Sequence, residues 1–153
     1  MKTNNFVITG LPRMRSAWFA AYFTQDDTLC YHEAIHGDDP MSVPGYKHVG
    51  TADSGYILSP DWVEANPDVK LVVINRDTDD VVRSLKSIGQ SDTRWLLEAM
   101  KPRLAKLDAL HVDFEDINDS LPEIHDYLGI PGYDEERASL FCNLNIQSQD
   151  WRS

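Results

Sequence analysis

The stretch Asn5-Phe6-Val7-Ile8-Thr9-Gly10-Leu11-Pro12-Arg13-Met14-Arg15-Ser16 decides the fold. Its first half is a short apolar, β-branched run, which predicts a buried strand. Gly10-Leu11-Pro12 then forces a turn. Beyond it, Ser16 to Thr24 (SAWFAAYFT) has the length and composition of a buried helix. A strand that turns directly into a helix aims the helix N-terminus at the carboxyl edge of the sheet, where unpaired N–H groups favour an anion. Charge distribution agrees with an anion site. The first 25 residues hold Lys2, Arg13 and Arg15 and no carboxylate, whereas the whole chain carries a net charge of −11.

Further along, the chain reads as alternating strands and helices. Leu29 to Ala34 is expected as a second strand and Asp38 to Tyr46 as a loop. Gly50 to Gly55 (GTADSG) reads as a polar turn, in which Asp53 and Ser54 serve as caps. Ser59-Pro60 looks like a helix start with Ser59 as N-cap. Val69 to Ile74 (VKLVVI) is the strongest strand, apolar enough to be covered on both faces. Helices are expected over Asp77 to Ile88, over Thr93 to Leu107 with a kink or split at Pro102, and over Glu115 to Leu128 with an interruption at Pro122. A short strand from Leu110 to Phe114 and a last helix from Asp134 to Leu144 complete the pass. This alternation predicts an α/β protein with a central parallel sheet of about four to five strands flanked by helices on both faces. The 153 residues fit one domain spanning 1–153.

Bulk composition narrows the function classes. The acidic balance argues against nucleic acid as a partner. No apolar run approaches the roughly 20 residues of a membrane span, and no signal peptide is read at Met1 to Asn5. Cys30 and Cys142 are too few for a disulfide framework and are expected as reduced thiols of a cytoplasmic protein. Trp62, Trp95, Tyr127 and Trp151 read as packing residues, with stacking of Trp151 on an adenine ring as a more adventurous alternative.

The loop is not a nucleotide-hydrolase P-loop of the G-x-x-x-x-G-K-[ST] type. Arg15 and Ser16 stand where Gly and Lys belong, and Ala17 where the magnesium-binding hydroxyl belongs. It does resemble the 5′-phosphosulfate loop of sulfotransferases, roughly P-[KR]-S-G-T-T-W. Pro12, Arg13, Ser16 and Trp18 match, while Met14 replaces Ser, Arg15 replaces Gly and Ala17 replaces the second Thr. A second match lies at Arg76, which ends Val72-Val-Ile-Asn-Arg76, with Ser84 eight residues later. Sulfotransferases place an Arg and a Ser in this order and context on the 3′-phosphate of their donor. A structural alternative pairs Arg76 with Asp77, Asp79 or Asp80. Val112-Asp-Phe-Glu-Asp116 is similar to the family's Y-E-D-L segment, and Ile124 to Ile130 to its I-x-x-F-L-G-[IL] helix end. The resemblance runs from Phe6 to Ile130 and is nearest to the short sulfotransferase-like proteins of tailed phages.

What this resemblance implies is specific. The fold would be of the three-layer P-loop NTPase-like kind. The donor would be 3′-phosphoadenosine 5′-phosphosulfate, held by Pro12, Arg13, Met14, Arg15, Ser16, Ala17, Trp18, Arg76 and Ser84, with no metal needed. Arg13 would occupy the catalytic lysine position and stabilise charge on the bridging oxygen. A hydroxyl or amine acceptor also needs a base. Glu33 and His32, at the end of the second strand, are the candidates, with Asp53 and Ser54 in reserve. The acceptor is not named by the sequence, and a homo-oligomer that completes the site is left open.

Two other function classes compete. The changes at Met14, Arg15 and Ala17 also suit a non-catalytic nucleotide-binding or interaction protein with a degenerate loop. His32-Glu33-Ala34-Ile35-His36 is a literal H-E-x-x-H match. On a helix it would bind zinc with Glu33 as base of a hydrolase.

Overall fold

The computed structural model describes residues 2–37, 39–91 and 93–147. Trp151 lies outside them. The described residues form a five-stranded sheet, with β1 Asn4–Gly10, β2 Thr28–His32, β3 His48–Ala52, β4 Lys70–Asn75 and β5 Leu110–Asp113. All pairings are parallel and the order is β2-β3-β1-β4-β5. The first strand is therefore central: Ile8 sits beside Ala52 on one side and Val72 on the other. The α/β class and parallel sheet expected from the sequence are what forms.

Strand alternation divides the core into two layers. Phe6, Ile8, Val72, Ile74 and Val112 face α1 Ser16–Phe23, α5 Ile117–Leu128 and α6 Glu135–Cys142. Val73 faces α3 Thr78–Ser87 and α4 Arg94–Ala105, while Val7 and Leu71 lie toward α2 Pro60–Ala65. Every apolar residue of β1 and β4 is thus buried, on one face or the other. Two glycines make close approaches possible. A Cβ on Gly10 would lie 2.5 Å from the Ile74 carbonyl oxygen, and one on Gly50 would lie 2.4 Å from the Phe6 ring.

Several sequence expectations need correction. The second strand stops at His32, not Ala34. The GTADSG segment is not all turn, because Gly50, Thr51 and Ala52 belong to β3, which pairs with both β1 and β2. Ser59 occupies the N-cap position of α2 with Pro60 following, as expected, but its side chain makes no capping bond. Its hydroxyl donates to the Gly55 carbonyl at 2.9 Å, which holds the short 3-10 turn Tyr56–Leu58. Pro102 and Pro122 do not split their helices; α4 and α5 run through them. In α5 the flanking Leu121, Ile124 and Leu128 are fully buried, and that packing outweighs the hydrogen bond Pro122 removes. Trp95 is 72% exposed and Tyr127 lies on the surface, whereas Trp62 packs on Tyr56 with ring centres 6.2 Å apart.

Candidate functional site

The chain from Gly10 to Ser16 leaves the central strand at the carboxyl edge of the sheet, beside the point where the strand order reverses. In open α/β sheets ligands bind at that crevice. Met14 anchors the loop from below, its side chain buried with Trp18 and Phe19. Met14 itself does not line the cavity, although its neighbours Arg13 and Arg15 do. Arg13 and Arg15 both adopt left-handed backbone, at φ 67° and 71°. Left-handed residues alternating with ordinary ones turn successive N–H groups toward a common centre, as in anion-binding nests. Arg15 precedes α1, and no side chain caps that helix or places a carboxylate in its first turn. The opening N–H groups of α1 thus have no intrahelical acceptor.

Above the loop lies a cavity of about 730 Å³, within the range of small-molecule sites. Pro12, Arg13, Arg15, Ser16, Ala17 and Trp18 line its floor. Arg76, Ser84 and Phe114 form one wall, Glu33 and Ser54 lie on the side of β2 and β3, and residues 142–147 contribute another wall.

The two motifs read separately in the sequence meet here. Arg13 Nε donates to Ser84 Oγ at 2.9 Å. Arg76 Nη1 donates to the Arg13 carbonyl at 2.6 Å, and its guanidinium lies 3.9 Å from the centre of the Phe114 ring. Arg76 does not pair with Asp77, Asp79 or Asp80. Asp79 bonds Arg94, Asp80 bonds Arg83, and Asp77 caps α3 through the Asp80 N–H. Burial presses the Arg76 and Arg15 guanidiniums toward lower pKa, yet arginine remains charged. Among the described residues, none of Arg13, Arg15 and Arg76 has a carboxylate within ion-pair distance. The Arg76 Nε is buried without a partner. In so acidic a chain, three guanidiniums line one cavity with hydrogen-bond partners but, among the described residues, no carboxylate partner.

Of the base candidates, Glu33 lines the cavity and His32 lies beside it, outside the lining. Ser16 Oγ and His32 Nε2 are 3.0 Å apart, and Glu33 Oε1 lies 3.6 Å from the same ring nitrogen. Glu33 holds a left-handed backbone at φ 59° and lines the cavity. Asp53 is spoken for. It is buried, and its two carboxylate oxygens accept from the Ile35 and Gly55 N–H groups at 3.0 and 2.7 Å. The helix required by the H-E-x-x-H reading is absent: His32 ends β2, and residues 33–37 form an irregular turn with His36 exposed. His32 and His36 therefore share no helical face, and the zinc hydrolase reading fails on that geometry. Among the described residues, no group of three metal-ligating side chains comes together.

Two features escaped the sequence reading. Arg15 lies flat on Trp18, its guanidinium carbon 4.0 Å from the ring centre, and Nη1 donates to Asn118 Oδ1 at 2.9 Å. Nothing in the pattern around Asn118 announced this contact. Behind the loop, His125 is buried with its Nε2 2.9 Å from the Tyr22 hydroxyl and its Nδ1 3.1 Å from the Ile130 carbonyl. The carbonyl can only accept, so Nδ1 carries the proton, and Nε2 of the neutral ring accepts a hydrogen bond from the Tyr22 hydroxyl.

No family model matches the chain, nor does any curated protein. Solved structures do match. The mouse sulfotransferase SULT7A1 complexed with PAP aligns with a TM-score of 0.61 at 15% identity, over 93% of this chain and 64% of that one. A sulfotransferase from Alicyclobacillus acidocaldarius aligns with a TM-score of 0.62 at 14% identity, over 97% of this chain and 87% of that one. The chain thus has the fold of sulfotransferases, as its sequence resemblance implied, and spans 64% of the length of the mouse protein. No helix among the described residues is long and apolar enough to cross a membrane.

Proposed function

We propose that the chain is a sulfotransferase-like enzyme of the cytoplasm that binds 3′-phosphoadenosine 5′-phosphosulfate in this cavity and transfers the sulfuryl group to a hydroxyl or amine. The observation that supports the reading is the junction at which Arg13 meets Arg76 and Ser84, residues that lie 63 and 71 positions further along the chain. On this reading Arg76 and Ser84 take the 3′-phosphate. The main chain of residues 12–18 and the Arg13 guanidinium take the phosphosulfate. Glu33 accepts the acceptor's proton as the acceptor oxygen or nitrogen bonds to sulfur. The bond from sulfur to the bridging oxygen breaks, and 3′,5′-adenosine bisphosphate leaves with the electron pair. Arg13 stabilises the charge that develops on that oxygen without giving up a proton.

The test is a thermal-shift titration with 3′,5′-adenosine bisphosphate, alongside ATP and 5′-AMP. A ligand at 100 times its dissociation constant adds about 2.7 kcal/mol of stability. Selective stabilisation by the bisphosphate, lost in Arg76→Ala, is the expected result. Equal response to all three nucleotides, or none, would remove the donor assignment. Donor binding without turnover is the second reading, favoured by Met14, Arg15 and Ala17, which stand where the family pattern has Ser, Gly and Thr. Radiolabelled sulfuryl transfer to any acceptor in a broad screen would dismiss it.

A further inference from the structure

Arg15 is separate from the Arg13–Arg76–Ser84 junction. Its polar partner is Asn118 at the start of α5, and its flat face rests on Trp18. The contact to Asn118 is to a neutral oxygen, so the positive charge is oriented but not neutralised. Because Asn118 Oδ1 is the accepting atom, its amide N–H groups remain as donors beside the guanidinium. Together they present neighbouring donors of the kind that match the two oxygens of a carboxylate. Arginine is also held here at a cost. A left-handed backbone at φ 71° suits glycine, and a side chain there costs about 1–2 kcal/mol. Strain of this kind persists where the side chain has work to do.

We propose, on the donor reading above, that Arg15, on the lining of the same cavity, and Asn118, which orients it from just outside that lining, form a second anion site that takes a carboxylate on the acceptor. A donor held by Arg13, Arg76 and Ser84 leaves the Arg15 side chain for a second reactant, on the side of the cavity lined by residues 142–147. The substrate class is then an acidic hydroxyl or amine compound rather than a neutral phenol or alcohol. Recognition by a stacked, oriented guanidinium would also set the direction in which the acceptor's nucleophile points.

The experiment titrates 4-hydroxybenzoate and its neutral counterpart 4-hydroxybenzamide into the protein by NMR, with and without saturating 3′,5′-adenosine bisphosphate. The carboxylate is expected to bind at least tenfold more tightly than the amide. That preference disappears in Arg15→Gln, and also in Asn118→Asp, whose carboxylate pairs with Arg15 and repels the ligand. Equal binding of the two probes, binding of neither, or a preference that survives Arg15→Gln overturns the second pocket. Loss of bisphosphate affinity in Arg15→Gln as large as in Arg76→Ala assigns Arg15 to the donor's own sulfate and overturns it too. If the bisphosphate fails to bind while the carboxylate preference holds without it, the donor reading falls and the pocket stands.

Discussion

Arg13 and Ser84 meet through a 2.9 Å hydrogen bond although 71 positions separate them in the chain. The bond ties the loop after β1 to the middle of α3, and Arg76 ties the same residue's carbonyl to the end of β4. One residue of the loop is thus fixed through both its side chain and its main chain.

Arg76 therefore has two tasks, and its removal is expected to show both. Arg76→Ala loses a charged hydrogen bond to the loop as well as a phosphate contact, each worth about 1.5–3 kcal/mol. Bisphosphate affinity, measured by calorimetry, should fall at least tenfold. Arg76→Lys should recover little of it, because one ammonium cannot reproduce a guanidinium that bonds Arg13 and stacks on Phe114. Full recovery by lysine would reduce Arg76 to a point charge.

Glu33 lines the cavity, and its only ion-pair contact among the described residues is to the neighbouring His32 ring. Glu33→Gln keeps its volume and removes its basicity. Turnover is expected to drop by about 10²–10⁴-fold with bisphosphate affinity unchanged. Unaltered turnover would pass the role of base to His32.

The buried His125 gives stability a pH dependence of known sign. Burial holds its pKa below the ordinary value, and His48 is shifted the same way for the same reason. The unfolded chain takes up these protons near pH 6.5, before the folded protein does. Stability is therefore full above that pH and declines as pH falls toward the folded-state values. Melting curves at pH 7.5 and 5.5 should show a smaller drop for His125→Gln than for the parent, with the remainder owed in part to His48. An equal drop would mean that His125 opens to solvent before it is protonated.

Gly50 has no room for a side chain, because the Phe6 ring fills the space its Cβ would need. Gly50→Ala is expected to destabilise by about 1–3 kcal/mol, or about 2–12 °C in melting temperature for a chain of this size. Phe6→Leu in the same chain should return part of the loss. Additive losses in the double variant would show that the two residues do not compete for the same space.

The sequence revealed the parts of the fold that are locally self-evident. β1 and β4 announce themselves as apolar runs, and α1 and α3 follow them directly. β3 did not, for a physical reason. His-Val-Gly-Thr-Ala carries a glycine where the sheet needs one, and only the distant Phe6 explains that glycine. Pro102 and Pro122 misled because a local rule was overruled by tertiary packing. At the site, Arg13, Arg76 and Ser84 were legible as family-like spacing, and Glu33 and His32 as residues at a strand end. Arg15 on Trp18 with Asn118 was not, since the bond spans 103 positions and no local pattern encodes it.

The arginines at the cavity sit within a chain whose net charge is −11. Seen from beyond a Debye length, about 10 Å at 0.1 M salt, the protein is an anion and repels a polyanionic nucleotide. Only at close range does the cluster of guanidiniums take over. Ionic strength therefore acts on capture in two opposing ways, easing the approach and weakening the final grip. Association of a nucleotide polyphosphate should slow in dilute buffer, the reverse of the usual electrostatic steering, while its dissociation quickens as salt is added.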